Sequence, residues 1–129
     1  MKRIALALLA ALAAWPAAAE TDKRFEKMLQ RIDPSERLEQ VCEYAALTKI
    51  GHDNRPMRPD RVVMDSISAP KVDGDSMSGS GGAFRSKGKW YQFEFNCQAT
   101  PDRLKVQSFS YRLGEQIPED EWERYGLWR

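Results

Sequence analysis

Cys42 and Cys97 are the only thiols in the chain, and they follow a leader of the kind that directs export. Lys2 and Arg3 precede an apolar run from Ile4 to Ala14. Trp15-Pro16 breaks the run, and Ala17-Ala18-Ala19 before Glu20 matches a small-residue cleavage pattern. A membrane-spanning helix needs about 20 apolar residues, and this run has roughly half that. The expectation is a bacterial signal peptide over residues 1–19, cut after Ala19, with an uncleaved anchor as the alternative. No cysteine stands at the cut, which argues against a lipid anchor. The mature chain is then expected in the periplasm or outside the cell, where an even pair of thiols most simply closes as one disulfide.

Cleavage leaves 110 of the 129 residues, the length of one small domain over residues 20–129. A domain of this size buries a core with a thin margin, so a staple matters. The 20 basic and 19 acidic residues give the whole chain a net charge of +1. Losing Lys2 and Arg3 leaves 18 against 19, or −1. That balance gives no electrostatic case for nucleic acid.

Phe25, Met28, Leu29 and Ile32 recur at helical spacing, so Thr21 to Ile32 is expected to be a helix capped by Thr21 or Asp22. Asp33-Pro34-Ser35-Glu36 then places a carboxylate at the N-cap, proline at the first helical position and glutamate two residues later. The second helix is expected to run to about Ile50, with Gly51 as a left-handed cap. Leu38, Val41, Cys42, Ala45 and Ala46 share its apolar face, while Glu36, Glu39, Gln40 and Glu43 lie opposite.

Beyond a turn-rich connector, Arg61 to Ala69 reads as a strand ended by Pro70, with Val62 and Met64 on one face and Val63 and Ile67 on the other. Lys71 to Ser78 is a short edge strand or a loop, and Gly79-Ser80-Gly81-Gly82 reads as flexible. The clearest strand is Lys89 to Gln98. Tyr91, Phe93, Phe95 and Cys97 alternate with Trp90, Gln92, Glu94 and Asn96. Ser86 to Lys89 suits a hairpin turn through Gly88, and Thr100 to Arg103 a second turn. Along Leu104 to Leu113, Phe109 and Tyr111 fall out of phase with Leu104 and Val106, so a bulge near Gln107-Ser108 is expected. Pro118 opens a short acidic helix that Gly126 ends. The order is α+β: N-terminal helices packed on an antiparallel meander of three to five strands, a short C-terminal helix and one disulfide. Cys42 and Cys97 both point to the helix–sheet interface. Closing that loop restrains the unfolded chain by about 4 kcal/mol in the chain-entropy account.

The chemistry-bearing patterns are weak. His52 beside Asp53 lacks a nucleophile, and an exposed loop histidine is the ordinary reading. Two thiolates with one histidine are too few for zinc. Gly79 to Gly82 lacks the lysine and helix of a phosphate loop. Asp73 and Asp75 around Gly74 lack the remaining ligands of a calcium loop. Glu119, Asp120, Glu121 and Glu123 suit a helix N-terminus. No cofactor is expected. The candidate partner surface is Arg85, Lys87 and Trp90, an aromatic on the face opposite Phe93 and Phe95 with two cations nearby in sequence. The alternative is that a helix or the C-terminal tail covers Trp90.

Cys42 on an early helix, Pro59-Asp60-Arg61-Val62-Val63, Gly82 through Tyr91 and Phe95-Asn96-Cys97 form a set. With Val106 through Tyr111 and Ile117-Pro118 through Trp122, that set resembles domain-of-unknown-function family nine hundred and thirty, from about Leu38 to Leu127. The resemblance implies export and a shared domain, with no catalytic residue to carry over. The leading expectation is a non-enzymatic periplasmic module that binds an envelope protein or glycan. One alternative is an inhibitor or accessory subunit of a secreted enzyme. A third is a small hydrolase using carboxylates such as Asp60, Glu94 or Glu121.

Overall fold

A computed structural model describes residues 23–129. The expected leader over residues 1–19, its cut after Ala19 and the Thr21 or Asp22 cap lie outside the described residues. The first helix, α1, spans Lys23–Gln30 and buries Leu29, with Phe25 and Ile32 partly buried beside it. Met28 faces outward at 42% exposure, unlike the expectation that it joins the stripe.

The second helix, α2, spans Pro34–Asp53 and starts as the sequence predicts. Asp33 Oδ1 accepts from the Ser35 amide at 3.0 Å and from the Ser35 hydroxyl at 2.8 Å, which satisfies an otherwise orphaned donor of the first turn. Its far end differs. Gly51 stays helical, and the helix continues to Asn54, whose backbone and side-chain N–H groups both donate to Ile50 O. Gly51 serves close packing instead, since a Cβ there would sit 3.3 Å from the Pro59 ring. Leu38, Val41, Cys42, Ala46 and Ile50 are buried on the sheet side.

Five strands form one antiparallel sheet: β1 Pro59–Val63, β2 Lys71–Asp73, β3 Ser76–Ser86, β4 Lys89–Ala99 and β5 Val106–Gln116. β3, β4 and β5 make a meander. β1 and β2 share the other edge of β3, β1 along its last residues and β2 along its first. The expected strand over Arg61 to Ala69 is therefore cut short at Val63. The chain leaves the ladder there, and Met64 still buries itself under α2 while the Ile67 amide returns to Gly81 O at 2.8 Å. The face assignment of this segment holds: Val62 and Met64 join the helix-side core, Val63 and Ile67 the opposite cluster.

Gly79 to Gly82 is not a flexible link. It lies inside β3, where one extra residue is accommodated between the Gly79–Phe95 and Gly82–Phe93 pairs. A Cβ on Gly82 would lie 2.7 Å from the Phe93 ring, so the aromatic core dictates glycine here. The β3–β4 hairpin turns at Lys87-Gly88 with φ of 51° and 77°, both positive as the strand-matching two-residue turn requires. On β5, Gln107 is the extra residue between Val106, opposite Ala99, and Ser108, opposite Gln98. This is the expected bulge, and it returns Phe109 and Tyr111 to the core face. The β4–β5 register slips again between Leu113 and Gln116, which the alternation did not signal.

Cys42 and Cys97 are disulfide-bonded with Cα atoms 6.0 Å apart, so α2 is stapled to the middle strand of the meander. Phe84, Phe93 and Phe95 fill the space between helix and sheet. On the sheet's other face lies a second cluster of Ala83, Trp90, Ile117, Trp122 and Leu127. The C-terminal segment that builds it is two 3-10 turns, Glu119–Glu121 and Glu123–Tyr125, in place of the expected helix. Gly126 ends it at φ 68°. Among the described residues no helix is long and apolar enough to cross a membrane.

Candidate functional site

Trp90 is fully buried, so of the two readings of Arg85, Lys87 and Trp90 the covered one holds and the exposed partner surface does not. The tail covers it. Its Nε1–H donates to Trp128 O at 2.7 Å, and the Trp128 ring meets it edge-on with centroids 5.2 Å apart. Ile117 N–H donates to Trp90 O at 2.8 Å, and Trp122 Nε1–H to Ile117 O at 2.9 Å, so both indoles satisfy their polar atoms. Arg85 is equally engaged. It forks onto Asp60 with bonds of 3.0 and 2.8 Å, and its guanidinium lies 5.9 Å from the Trp90 ring centroid. Lys87 stands apart, exposed at the hairpin apex. The three do not form one accessible surface.

The carboxylates are likewise dispersed. Hydrogen bonding from Arg85 holds the Asp60 carboxyl below its ordinary value. Glu94 pairs in register with Arg112 across β4 and β5. It is four residues along β4 from Trp90, whose partner Arg85 holds Asp60, a separation of roughly 13 Å by strand rise. Glu121 belongs to the tail's first 3-10 turn. His52 is exposed in the last turn of α2, its Nδ1 3.3 Å from Asp53. Asp53 ties helix to sheet: Tyr111 donates to its Oδ2 at 2.8 Å, the main reason its carboxyl is held low. Asp75 is bound by Arg103 at 2.9 Å, and the same guanidinium donates to Gly74 O and Pro34 O, locking the β2–β3 turn. Among the described residues no group of three or more His, Cys, Asp or Glu side chains is placed to hold a metal ion.

What the strand pairing assembles is a polar lattice at the other end of the outer face. One row, Asp73–Ser76–Gln98–Ser108, crosses β2, β3, β4 and β5; the next is Lys71–Ser78–Asn96–Ser110. Neighbours in a row are about 4.8 Å apart between strands, and the two rows are separated by two residues, about 6.8 Å. The intervening row, Val72–Met77–Cys97–Phe109, points to the opposite face, and its Cys97 carries the staple. The lattice is thus anchored from beneath.

This end is open and only slightly indented. A shallow hollow of about 400 Å³ covers both rows, and an adjoining one of about 440 Å³ extends to Ser68, Ser80 and Glu94. Lys71, Ser78 and Asn96 line both hollows. The rows differ in occupancy. Ser76 donates to Gln98 Oε1, and Gln98 Nε2 donates to Ala99 O at 3.2 Å, so the first row is partly self-satisfied. The side chains of Ser78, Asn96 and Ser110 make no hydrogen bond to another described residue. Lys71 balances Asp73, and Arg112 balances Glu94, so the surface carries hydrogen-bonding capacity without net charge.

Sequence reasoning passed over these residues because alternate polar positions on a strand look like ordinary solvent contact. It also passed over Glu43, assigned to the solvated face of α2. Burial, reinforced by Glu39 and Asp65, raises its carboxyl to about 7. Neither signal is local: each needs the neighbouring element in place.

No curated protein and no solved structure matches the chain. A family model, Domain of Unknown Function (DUF930), matches residues 29–127, covering the last two residues of α1, all of α2, all five strands and the tail to Leu127. The chain, with its stapled α2, its glycine-bearing β3 and its tail closed over Trp90, belongs to the DUF930 family.

Proposed function

We propose that this protein is an exported, non-enzymatic binding module of the cell envelope, and that the open polar half of its sheet is the binding face. Export is supported by the leader over residues 1–19 together with the disulfide, which suits an oxidising compartment. The observation that carries the binding role is the row Ser78–Asn96–Ser110, three side chains aligned across three strands in a hollow and unused by the fold. The hydrolase alternative has less support, because Asp60 is committed to Arg85 and stands far from Glu94.

The test is envelope co-sedimentation of the full chain expressed with its leader. Wild type should sediment with the envelope fraction as a chain beginning at Glu20. A Ser78→Ala, Asn96→Ala, Ser110→Ala variant should be exported and folded but released to the soluble fraction. Equal sedimentation of the two would remove the polar face from the proposal, and a cytoplasmic, uncleaved chain would remove export.

A further inference from the structure

We infer that the ligand of this face is an uncharged glycan strand bearing acetamido groups, with Asn96 reading the acetamido group and Ser78 and Ser110 reading flanking hydroxyls. This rests on the binding role proposed above and adds its chemistry.

Charge is the first argument. A strongly ionic ligand calls for an excess of one sign, and here Lys71 is matched by Asp73 and Arg112 by Glu94. The second argument is the absence of a hot spot for a folded protein partner. Such partners are anchored by Trp, Tyr or Arg in desolvated pockets, whereas the aromatic side chains of this region, Phe95 and Phe109, belong to the helix-side core. The third is hydrogen-bond chemistry. Ser78 and Ser110 each offer a hydroxyl that both donates and accepts, and Asn96 offers a carboxamide whose Nδ2 donates while Oδ1 accepts. An acetamido group presents the complementary pair, a carbonyl and an N–H, and sugar hydroxyls match serine hydroxyls. The fourth is shape. The two adjoining hollows share Lys71, Ser78 and Asn96, so the open trough is longer than one ring and suits a chain better than a compact small molecule.

The probes are beads of β-linked N-acetylglucosamine polymer and peptide-stripped cell-wall glycan, with an anionic polysaccharide as comparison, all against the full chain. Wild type should be retained on both N-acetylated supports and not on the anionic one, and retention should persist when salt is raised to about 1 M, where a charge-driven contact is screened. Asn96→Asp, which keeps shape but removes both amide donors and adds a charge, should weaken retention by about tenfold or more. Lys87→Ala, at the far hairpin, should bind as wild type, and unchanged melting temperatures would show that every variant is folded. Failure of wild type to bind either N-acetylated support, retention lost at high salt, or equal binding by Asn96→Asp overturns the glycan inference. If that happens while envelope co-sedimentation still depends on Ser78, Asn96 and Ser110, the binding face survives with a protein partner. If neither assay responds to those residues, both readings fall.

Discussion

The two ends of the outer sheet face are built from the same strands and held in place by different means. At one end β4 presents Trp90, and the chain returns after β5 to cover it with Ile117, Trp122 and Leu127. At the other end β4 presents an exposed Asn96 and a half-buried Gln98, the C-terminal tail does not reach them, and the disulfide at Cys97 secures the strand from the helix side. The difference follows from solvation. An exposed indole and its neighbours forgo a large burial gain, so a tail that covers them is stabilising. Hydroxyls and carboxamides lose nothing by facing water, so no cover is required. Such a surface is free to take a ligand, provided something else keeps its strands in register.

Removing the staple is the sharpest way to break this contrast. A Cys42→Ala, Cys97→Ala variant should lose about 4 kcal/mol, read as the denaturant midpoint against wild type. Hydrogen exchange should speed up more at Asn96 and Gln98 than at Trp90. Equal acceleration at both ends would mean the staple does not hold one end in particular. At the covered end, Trp90→Ala should cost about 3 kcal/mol through the cavity it leaves. Deleting residues 127–129 should cost about 2 kcal/mol for the lost burial of Leu127, and should shift tryptophan emission to the red as Trp90 is uncovered. A deletion that leaves emission unchanged would show that the final residues are not the cover.

Glu43, next to Cys42 on α2, gives a smaller effect with a defined pH signature. Its carboxyl rises from 4.5 to about 7 in the folded chain, first by burial and then by Glu39 and Asp65. The folded state therefore holds more protons than the unfolded state between those values, and stability falls as pH rises through that window. Glu43→Gln should match wild type near pH 4 and exceed it by about 1 kcal/mol near pH 8, a modest figure because the side chain keeps solvent contact. An advantage that is the same at both pH values would point to packing instead of charge. Smallest of all, Asn96→Ala should leave stability within about 0.5 kcal/mol while removing binding. A large loss of stability there would make the lattice structural and erase the distinction between the two ends.

Much of the architecture was legible because its causes are local. Asp33-Pro34 is a helix start in any context, and alternation from Trp90 to Cys97 assigns faces without reference to neighbours. The phase break before Phe109 located the Gln107 bulge for the same reason. Errors fell where one local pattern has two tertiary uses. Glycine serves a loose link and a close approach equally well, and only the Phe93 ring decides that Gly82 is the second. Gly51 could have ended α2, but Asn54 supplied the cap three residues later.

The sequence by itself determined the two helices, the central strand β4, the faces of both and the pairing of the two cysteines, since helical and strand periodicities, caps and turns act over a few residues, and two thiols leave one internal bond. The tertiary structure alone decided what became of the opposite face. Whether Trp90 is bare or covered depends on where the tail after Gln116 returns, which no local rule sets. Whether Ser78, Asn96 and Ser110 form a row depends on the registers of two ladders, each shifted by bulges. A slip of one residue at either ladder would send one strand's side chain to the core and dissolve the row.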